Sequence, residues 1–253
     1  MSRILAENIS IEFPVIGADR SFRKEVIGGK VGGLFRRKAS GSQRLTTVKA
    51  VSNLSMDLRD GDRLGLIGHN GAGKTTTLRL LLGNYWPTKG KLIIEGNCVP
   101  LLTLGLGMDQ DFPGTENIFL CGHMLGLTKK ELDEQFDDIC AFTELGEFLN
   151  LPIRTYSAGM LLRLSFAIVT ASTPDILLLD EIFGTGDAAF HAKAKARMDN
   201  MLERTNILVF ASHSLPLIRE QCNKVCVMDK GQSIFLGDLE EGIAFYENHV
   251  VNG

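Results

Sequence analysis

Eight consecutive residues constrain this chain more than any other stretch: Gly68-His69-Asn70-Gly71-Ala72-Gly73-Lys74-Thr75. They fit G-x-x-x-x-G-K-[ST], and the flanks suit that pattern. The apolar run RLGLI precedes it as a short strand. TTTLRLLLG follows with helical spacing, and Gly83 is a C-terminal stop. In such a loop the glycines let successive N–H groups turn toward an anion, assisted by the positive end of the next helix. Lys74 adds a point charge at the β and γ phosphates of a triphosphate, Thr75 offers a hydroxyl to Mg²⁺, and Thr76 continues the first turn. A glycine-rich turn with no ligand is the bland alternative, and the match at all eight positions and both flanks argues against it.

The rest of the chain bounds the class. Of 253 residues, 44% are hydrophobic and 23% charged, a globular balance that excludes collagenous or wholly disordered chains. No apolar run approaches the ~18–20 residues of a membrane-crossing helix. Charges stand in MSRILAENISIEF where a signal peptide needs its apolar core, so a cytoplasmic location is expected. Five scattered cysteines, with no CxxC or Cys/His spacing, read as reduced thiols. The net charge of −3 is uneven. Between residues 19 and 44, eight Lys/Arg face Asp19 and Glu25, a local excess of about six cations on an otherwise acidic body. That pattern speaks against general nucleic-acid binding and for one local anionic contact. Phe22, Val26, Ile27, Leu34 and Phe35 are interleaved with those cations, which suits a segment near a membrane surface or a membrane-embedded subunit; a solvated loop is the alternative reading.

Residues 3–13 alternate as a strand, and Pro14 is expected to end it. Residues 15–47 look like a basic insertion between strands, with the alternating pattern resuming at Val48. KLIIEGNCVPLLTL reads as strand, turn, strand. Helical spacing dominates from about 115 to 170. DILLLD and ILVFAS are buried strands with a helix between them, KVCVMDKGQSIFLG is a hairpin turning at Lys230-Gly231, and a short helix closes the chain. Strands alternating with helices predict an α/β fold with a parallel central sheet.

Two further motifs bear on chemistry. In Asp175-Ile-Leu-Leu-Leu-Asp180-Glu181, four apolar residues make a buried strand with Asp180 at its C-terminal end, where open α/β sheets bind ligands. Asp180 can hold a metal shell, and Glu181 can polarise an attacking water. Tyr156-Ser157-Ala158-Gly159-Met160 opens a helix: Ser157 is an N-cap and Gly159 permits close approach of an anion.

With these motifs in register, the chain resembles the ATP-binding-cassette (ABC) ATPases over essentially its whole length. YSAGM is similar to the family's signature, with Tyr for Leu, Ala for the first Gly and Met for Gln. The resemblance implies a single domain over 1–253: an α/β P-loop NTPase with a RecA-like core, an N-terminal antiparallel β subdomain, and a helical subdomain over about 112–162 carrying the signature. It implies ATP and Mg²⁺ as ligands. ATP would be held by Gly68 to Thr76, with Phe13 stacking on adenine (core packing is its alternative), and the metal by Thr75 and Asp180, with Gln110 as a further candidate ligand. Glu181 and His213, in Ala-Ser-His-Ser, would serve catalysis. Gly184-Thr-Gly-Asp187 stands at the family's D-loop. Ser157 and Gly159 would meet the γ phosphate bound by a second copy, so a homodimer is implied. Gln110 is the glutamine nearest the Q-loop, six residues before Glu116, where the family places one about a dozen residues before. YSAGM, LLTLGLGM, PGTENIFL and the long insertion together look like the ATPases of polysaccharide exporters. That likeness implies an integral membrane permease as partner, a lipid-linked glycan (O-antigen, capsule, teichoic acid or galactan) as cargo through it, no nucleic acid, and a place on the cytoplasmic face of the inner membrane. The residues after His213 suffice to finish the ATPase fold, so sugar recognition is expected elsewhere.

Overall fold

The computed structural model describes residues 1–15, 34–38, 45–101, 107–180 and 188–251. Along the chain run β1 (Arg3–Val15), β2 (Leu34–Lys38), β3 (Leu45–Arg59), β4 (Arg63–Ile67), α1 (Lys74–Leu81), β5 (Lys89–Glu95) and β6 (Cys98–Leu101). There follow α2 (Gly114–Met124), α3 (Lys129–Thr143), α4 (Ala158–Ala171), β7 (Ile176–Asp180), α5 (Ala188–Arg204) and β8 (Ile207–Ala211). The last elements are α6 (Leu215–Gln221), β9 (Lys224–Asp229), β10 (Gln232–Asp238) and α7 (Leu239–Tyr246), with a π turn at Glu247–Val251. The chain forms two compact units: Met1–Gly96, Leu179–Glu181 and Ile207–Gly253 make one, Asn97–Leu178 and Ile182–Asn206 the other.

In the first unit the sheet order is β5-β1-β3-β10-β9-β4-β8, with β2 also on β3. The pairs β4–β8 and β4–β9 are parallel, whereas β1–β3, β1–β5 and β9–β10 are antiparallel. The parallel part is legible in composition. Leu64, Leu66 and Ile67 of β4, Ile207–Ala211 of β8 and Val225–Met228 of β9 are all buried, the unbroken apolar runs of strands covered on both faces. Leu78, Leu80 and Leu81 of α1 are 0% exposed. Burying each such side chain contributes about 1.5–3 kcal/mol, so Leu78→Ala would strip the phosphate-loop helix of a main anchor.

Two strand boundaries differ from the sequence reading. β1 continues through Pro14, which pairs with Thr47 of β3. The β1–β5 register ends at Ser10, so Pro14 pairs with β3 alone and has no β5 partner, an edge setting that tolerates proline. β3 starts at Leu45 rather than Val48, and its extra residues pair with β2, a strand inside the basic stretch. The remainder of that stretch, 16–33 and 39–44, lies outside the described residues. β3 also carries a bulge: Ile11 pairs with Val51 and Glu12 with Lys49, which leaves Ala50 without a partner on β1.

The second unit is mainly helical. α3 opens on a capping box, with Thr128 N–H donating to Glu131 Oε2 at 2.7 Å and Glu131 N–H to Thr128 Oγ1 at 3.3 Å. Phe142 of α3, Phe166 of α4 and Phe190 of α5 form its aromatic core. Arg197 lies 4.5 Å above the Phe142 ring and Arg163 4.8 Å above that of Phe190, so the cations cap the core without entering it. Among the described residues, no helix of either unit is long and apolar enough to cross a membrane.

Candidate nucleotide site

The loop between β4 and α1 sits at the C-terminal ends of parallel strands, where αβ folds place ligands. Gly73 takes φ +107°, and a β-carbon there would stand 2.7 Å from the Ala50 carbonyl, so glycine is required at this turn. No side chain caps the N-terminus of α1, which leaves that end to serve the loop. The loop is also held from behind. Ala72 N–H donates to the His69 carbonyl at 3.1 Å, and the Ala72 carbonyl accepts from Gly231 N–H at 2.8 Å.

Asn70, Gly71, Ala72, Gly73, Lys74, Thr75 and Thr76 line a cavity of ≈ 450 Å³ together with Asp180, His213, Val48 and Ala50. Lys74 is 8% exposed. Its ammonium donates to the carbonyls of Gly68 at 2.7 Å and His69 at 3.2 Å. It also stands 3.3 Å from His213 Nε2. An ammonium can only donate, so this contact needs an unprotonated Nε2 on His213. Thr75 Oγ1 donates to Asp180 Oδ2 at 2.9 Å, which joins two hard oxygen donors from distant parts of the sequence. Among the described residues no group of three His, Cys, Asp or Glu could hold a metal ion. One hydroxyl and one carboxylate nevertheless fit Mg²⁺, which is commonly bound by one or two protein oxygens plus phosphate oxygens and water.

Other expected residues are not among those lining this cavity. His69 points to the chain's last turn: its Nε2 donates to the Val250 carbonyl at 2.9 Å, and its ring approaches Tyr246. Phe13 pairs with Val48, so the two share a face, but its ring packs on Tyr85 and does not line the cavity. Ser157, Gly159 and Gln110 belong to the second unit. Ser157 caps α4 by accepting from Met160 N–H at 3.3 Å. A β-carbon on Gly159 would meet only Ser157 Oγ, at 3.9 Å, so its surroundings are open. Gln110 is exposed, and its carbonyl accepts from Arg154 N–H at 3.0 Å. Glu181 and 184–187 lie outside the described residues. Sequence reasoning missed Val48, Ala50 and Gly231. Alternation marked β3 as a strand, but no local signal revealed the bulge that brings Ala50 to the loop.

The thiols take no part in this site. Burial pushes Cys226 up to about 11 and Cys222 up to about 12, so both stay protonated near neutrality.

A phosphate-cradling loop with a lysine, a hydroxyl–carboxylate pair and a histidine at one end of a parallel sheet defines a nucleoside-triphosphate-binding protein. The ABC transporter family model matches residues 51–184. The O-antigen export system ATP-binding protein RfbE of Yersinia enterocolitica is 41% identical over 91% of this chain and 96% of its own length. The teichoic acids export ATP-binding protein TagH of Lactococcus lactis is 34% identical over 98% of this chain, which spans 51% of that relative. A solved ATP-binding subunit of an ABC transporter superposes with a TM-score of 0.69 at 17% identity, covering 96% of this chain and 92% of its own. The chain belongs to the ABC transporter family as an ATP-binding, ATP-hydrolysing subunit.

Proposed function

We propose that this protein drives export of a lipid-linked polysaccharide across the bacterial cytoplasmic membrane, as the nucleotide-binding subunit of an ABC exporter. The identity to an O-antigen export subunit along nearly the full length of both chains carries this reading. The chain acts as a single cassette over 1–253, with about 112–162 as the helical subdomain and 15–47 as the basic insertion. It works as a homodimer on the cytoplasmic face of the inner membrane and binds no nucleic acid. The glycan reaches it only through an integral membrane permease.

In this reading Gly68 to Thr76 cradle the phosphates of ATP. Lys74, held by two loop carbonyls, delivers its charge at the β and γ phosphates. Thr75 and Asp180 would hold Mg²⁺, which supplies neutralisation of phosphate charge. Glu181 takes the proton of the attacking water, and His213 orders the γ-phosphate side. Phe13 carries the adenine. Ser157 and Gly159 offer the N-terminus of α4 to ATP bound by the second copy, so nucleotide becomes part of the dimer interface. Gln110 links the metal end of the site to the permease.

The experiment is genetic. A strain lacking this protein should lose its surface polysaccharide and accumulate the lipid-linked precursor. The parent chain should restore export and Lys74→Ala should not. A deleted strain with a normal glycan coat would overturn the cargo assignment and leave the ATPase itself untouched.

A further inference from the structure

The stretch joining α1 to β5 plays no part in the mechanism above, yet it is built against the base end of the proposed site. It is tied at both ends. Asn84 N–H donates to the Arg79 carbonyl of α1 at 3.0 Å. At the other end Thr88 N–H and Thr88 Oγ1 both donate to the Ser10 carbonyl of β1, at 2.7 and 3.0 Å. Between these ties Tyr85 meets Phe13 nearly perpendicular, with ring centroids 5.0 Å apart and an interplanar angle of 74°. Both rings are half-buried. Phe13 lies three residues beyond Ser10 on β1, opposite the cavity-lining Val48.

We propose that Tyr85 is a positioning residue for nucleotide recognition, fixing the Phe13 ring in the orientation on which adenine stacks. The inference rests on the reading of Phe13 as the adenine platform. A phenylalanine near the end of a strand can otherwise exchange among staggered rotamers, and ordering it would have to be done by the nucleotide at binding. A perpendicular aromatic neighbour removes that freedom in advance. It occupies one edge or one face of Phe13 and leaves the opposite face for another flat group. Because the Tyr85 segment is anchored to α1 as well as to β1, the platform keeps a fixed relation to the helix that opens at Lys74.

Calorimetric titration of the full chain with ATP and with inorganic tripolyphosphate, in one Mg²⁺ buffer, tests this. Tripolyphosphate offers the phosphate chain without the base. Tyr85→Leu should weaken ATP binding about two- to tenfold, the worth of an edge-to-face pair, with tripolyphosphate binding unchanged. KM for ATP should rise in step while kcat stays near the parent value. Tyr85→Phe, which keeps the ring, should behave as the parent. Phe13→Leu should weaken ATP at least as much, and Tyr85→Leu added to it should cost nothing more, because Tyr85 acts through Phe13. If Phe13→Leu weakens ATP and Tyr85→Leu does not, the positioning role is wrong while the platform stands. If Phe13→Leu has no effect, the platform itself is wrong. Equal loss of ATP and tripolyphosphate binding in Tyr85→Leu would make Tyr85 a packing residue and overturn the proposal.

Discussion

Gly231 offers a direct measure of how far the phosphate loop depends on the hairpin behind it. With Lys230 at φ +47° and Gly231 at φ +81°, the β9–β10 turn has two residues in the left-handed region, as two-residue hairpins prefer. Gly231 N–H donates to the Ala72 carbonyl at 2.8 Å, and its own carbonyl accepts from Ser52 N–H at 2.7 Å. In Gly231→Ala the new β-carbon would stand 2.7 Å from the Ala50 carbonyl oxygen, 3.0 Å from its carbon and 3.1 Å from the Lys49 carbonyl oxygen. All three are backbone atoms, so the turn has to shift. The left-handed conformation costs alanine about 1–2 kcal/mol, and each strained hydrogen bond adds about 0.5–1.5 kcal/mol. A loss of about 2–5 kcal/mol results, and each kcal/mol lowers Tm by about 2–4 °C in a chain of this size. Gly61→Ala is the control: its φ is +91°, and nothing lies within 4 Å of the added carbon, so only the conformational part applies. Thermal melts of both variants, with ATP titrations alongside, separate the contributions. Gly231→Ala should melt several degrees below Gly61→Ala and bind ATP about fivefold more weakly, the equivalent of one loosened hydrogen bond at Ala72. Equal melting temperatures with parental ATP affinity in both would refute the coupling of hairpin to loop.

Three other outcomes are expected. Lys74→Ala should abolish ATP binding, whereas Glu181→Gln should retain binding and lose about 10²–10⁴ in turnover, as loss of a general base does; a Gln variant hydrolysing above a tenth of the parent rate would remove Glu181 from that role. Gly159→Asp has open space at its β-carbon, so it should fold and bind nucleotide, yet block the ATP-dependent dimer of a Glu181→Gln background in light scattering. A dimer as tight as in Glu181→Gln alone would make the α4 N-terminus purely structural. Burial raises Cys226 from 9.0 to about 11, so its contribution is fully present below pH 9 and is lost as pH climbs toward 11. Cys226→Ala should therefore flatten the alkaline fall in urea-melt stability by up to about 1.4 kcal/mol per pH unit, and parallel slopes for the two proteins would count against this.

The phosphate loop was legible because its chemistry is local: eight adjacent residues specify the glycine turns, the lysine and the hydroxyl together. The unbroken apolar runs of β7 and β8 were legible for the same reason, since complete burial leaves a composition that needs no partner to be recognised. What escaped depends on residues far apart in the chain. Asp180 could be placed beside Thr75 only through resemblance to a family, since nothing near either residue encodes their hydrogen bond. In sequence Pro14 reads as a stop because proline usually is one. Whether it interrupts a strand depends on which strands flank it at that point, and β5, which pairs with β1 only as far as Ser10, follows some 75 residues later. His69 fits the motif by position, but its ring is claimed by the Val250 carbonyl, a contact no local pattern announces.

The unpaired Ala50 of β3 works as a spacer between two halves of a ruler. On one side of it Val48 faces Phe13; at Ala50 itself the strand's carbonyl abuts Gly73 and Gly231. The Phe13 side and the phosphate loop are thus gauged along a single strand, two residues or about 7 Å apart. Deleting Ala50 would straighten the strand while keeping Val51 opposite Ile11, Lys49 opposite Glu12 and Val48 opposite Phe13. Val48 would stay opposite Phe13, but the carbonyl beside Gly73 and Gly231 would belong to a different residue. The backbone ladder could re-form almost completely, so the damage would show little in secondary structure and mainly in the fit of a molecule whose two ends must be met at once.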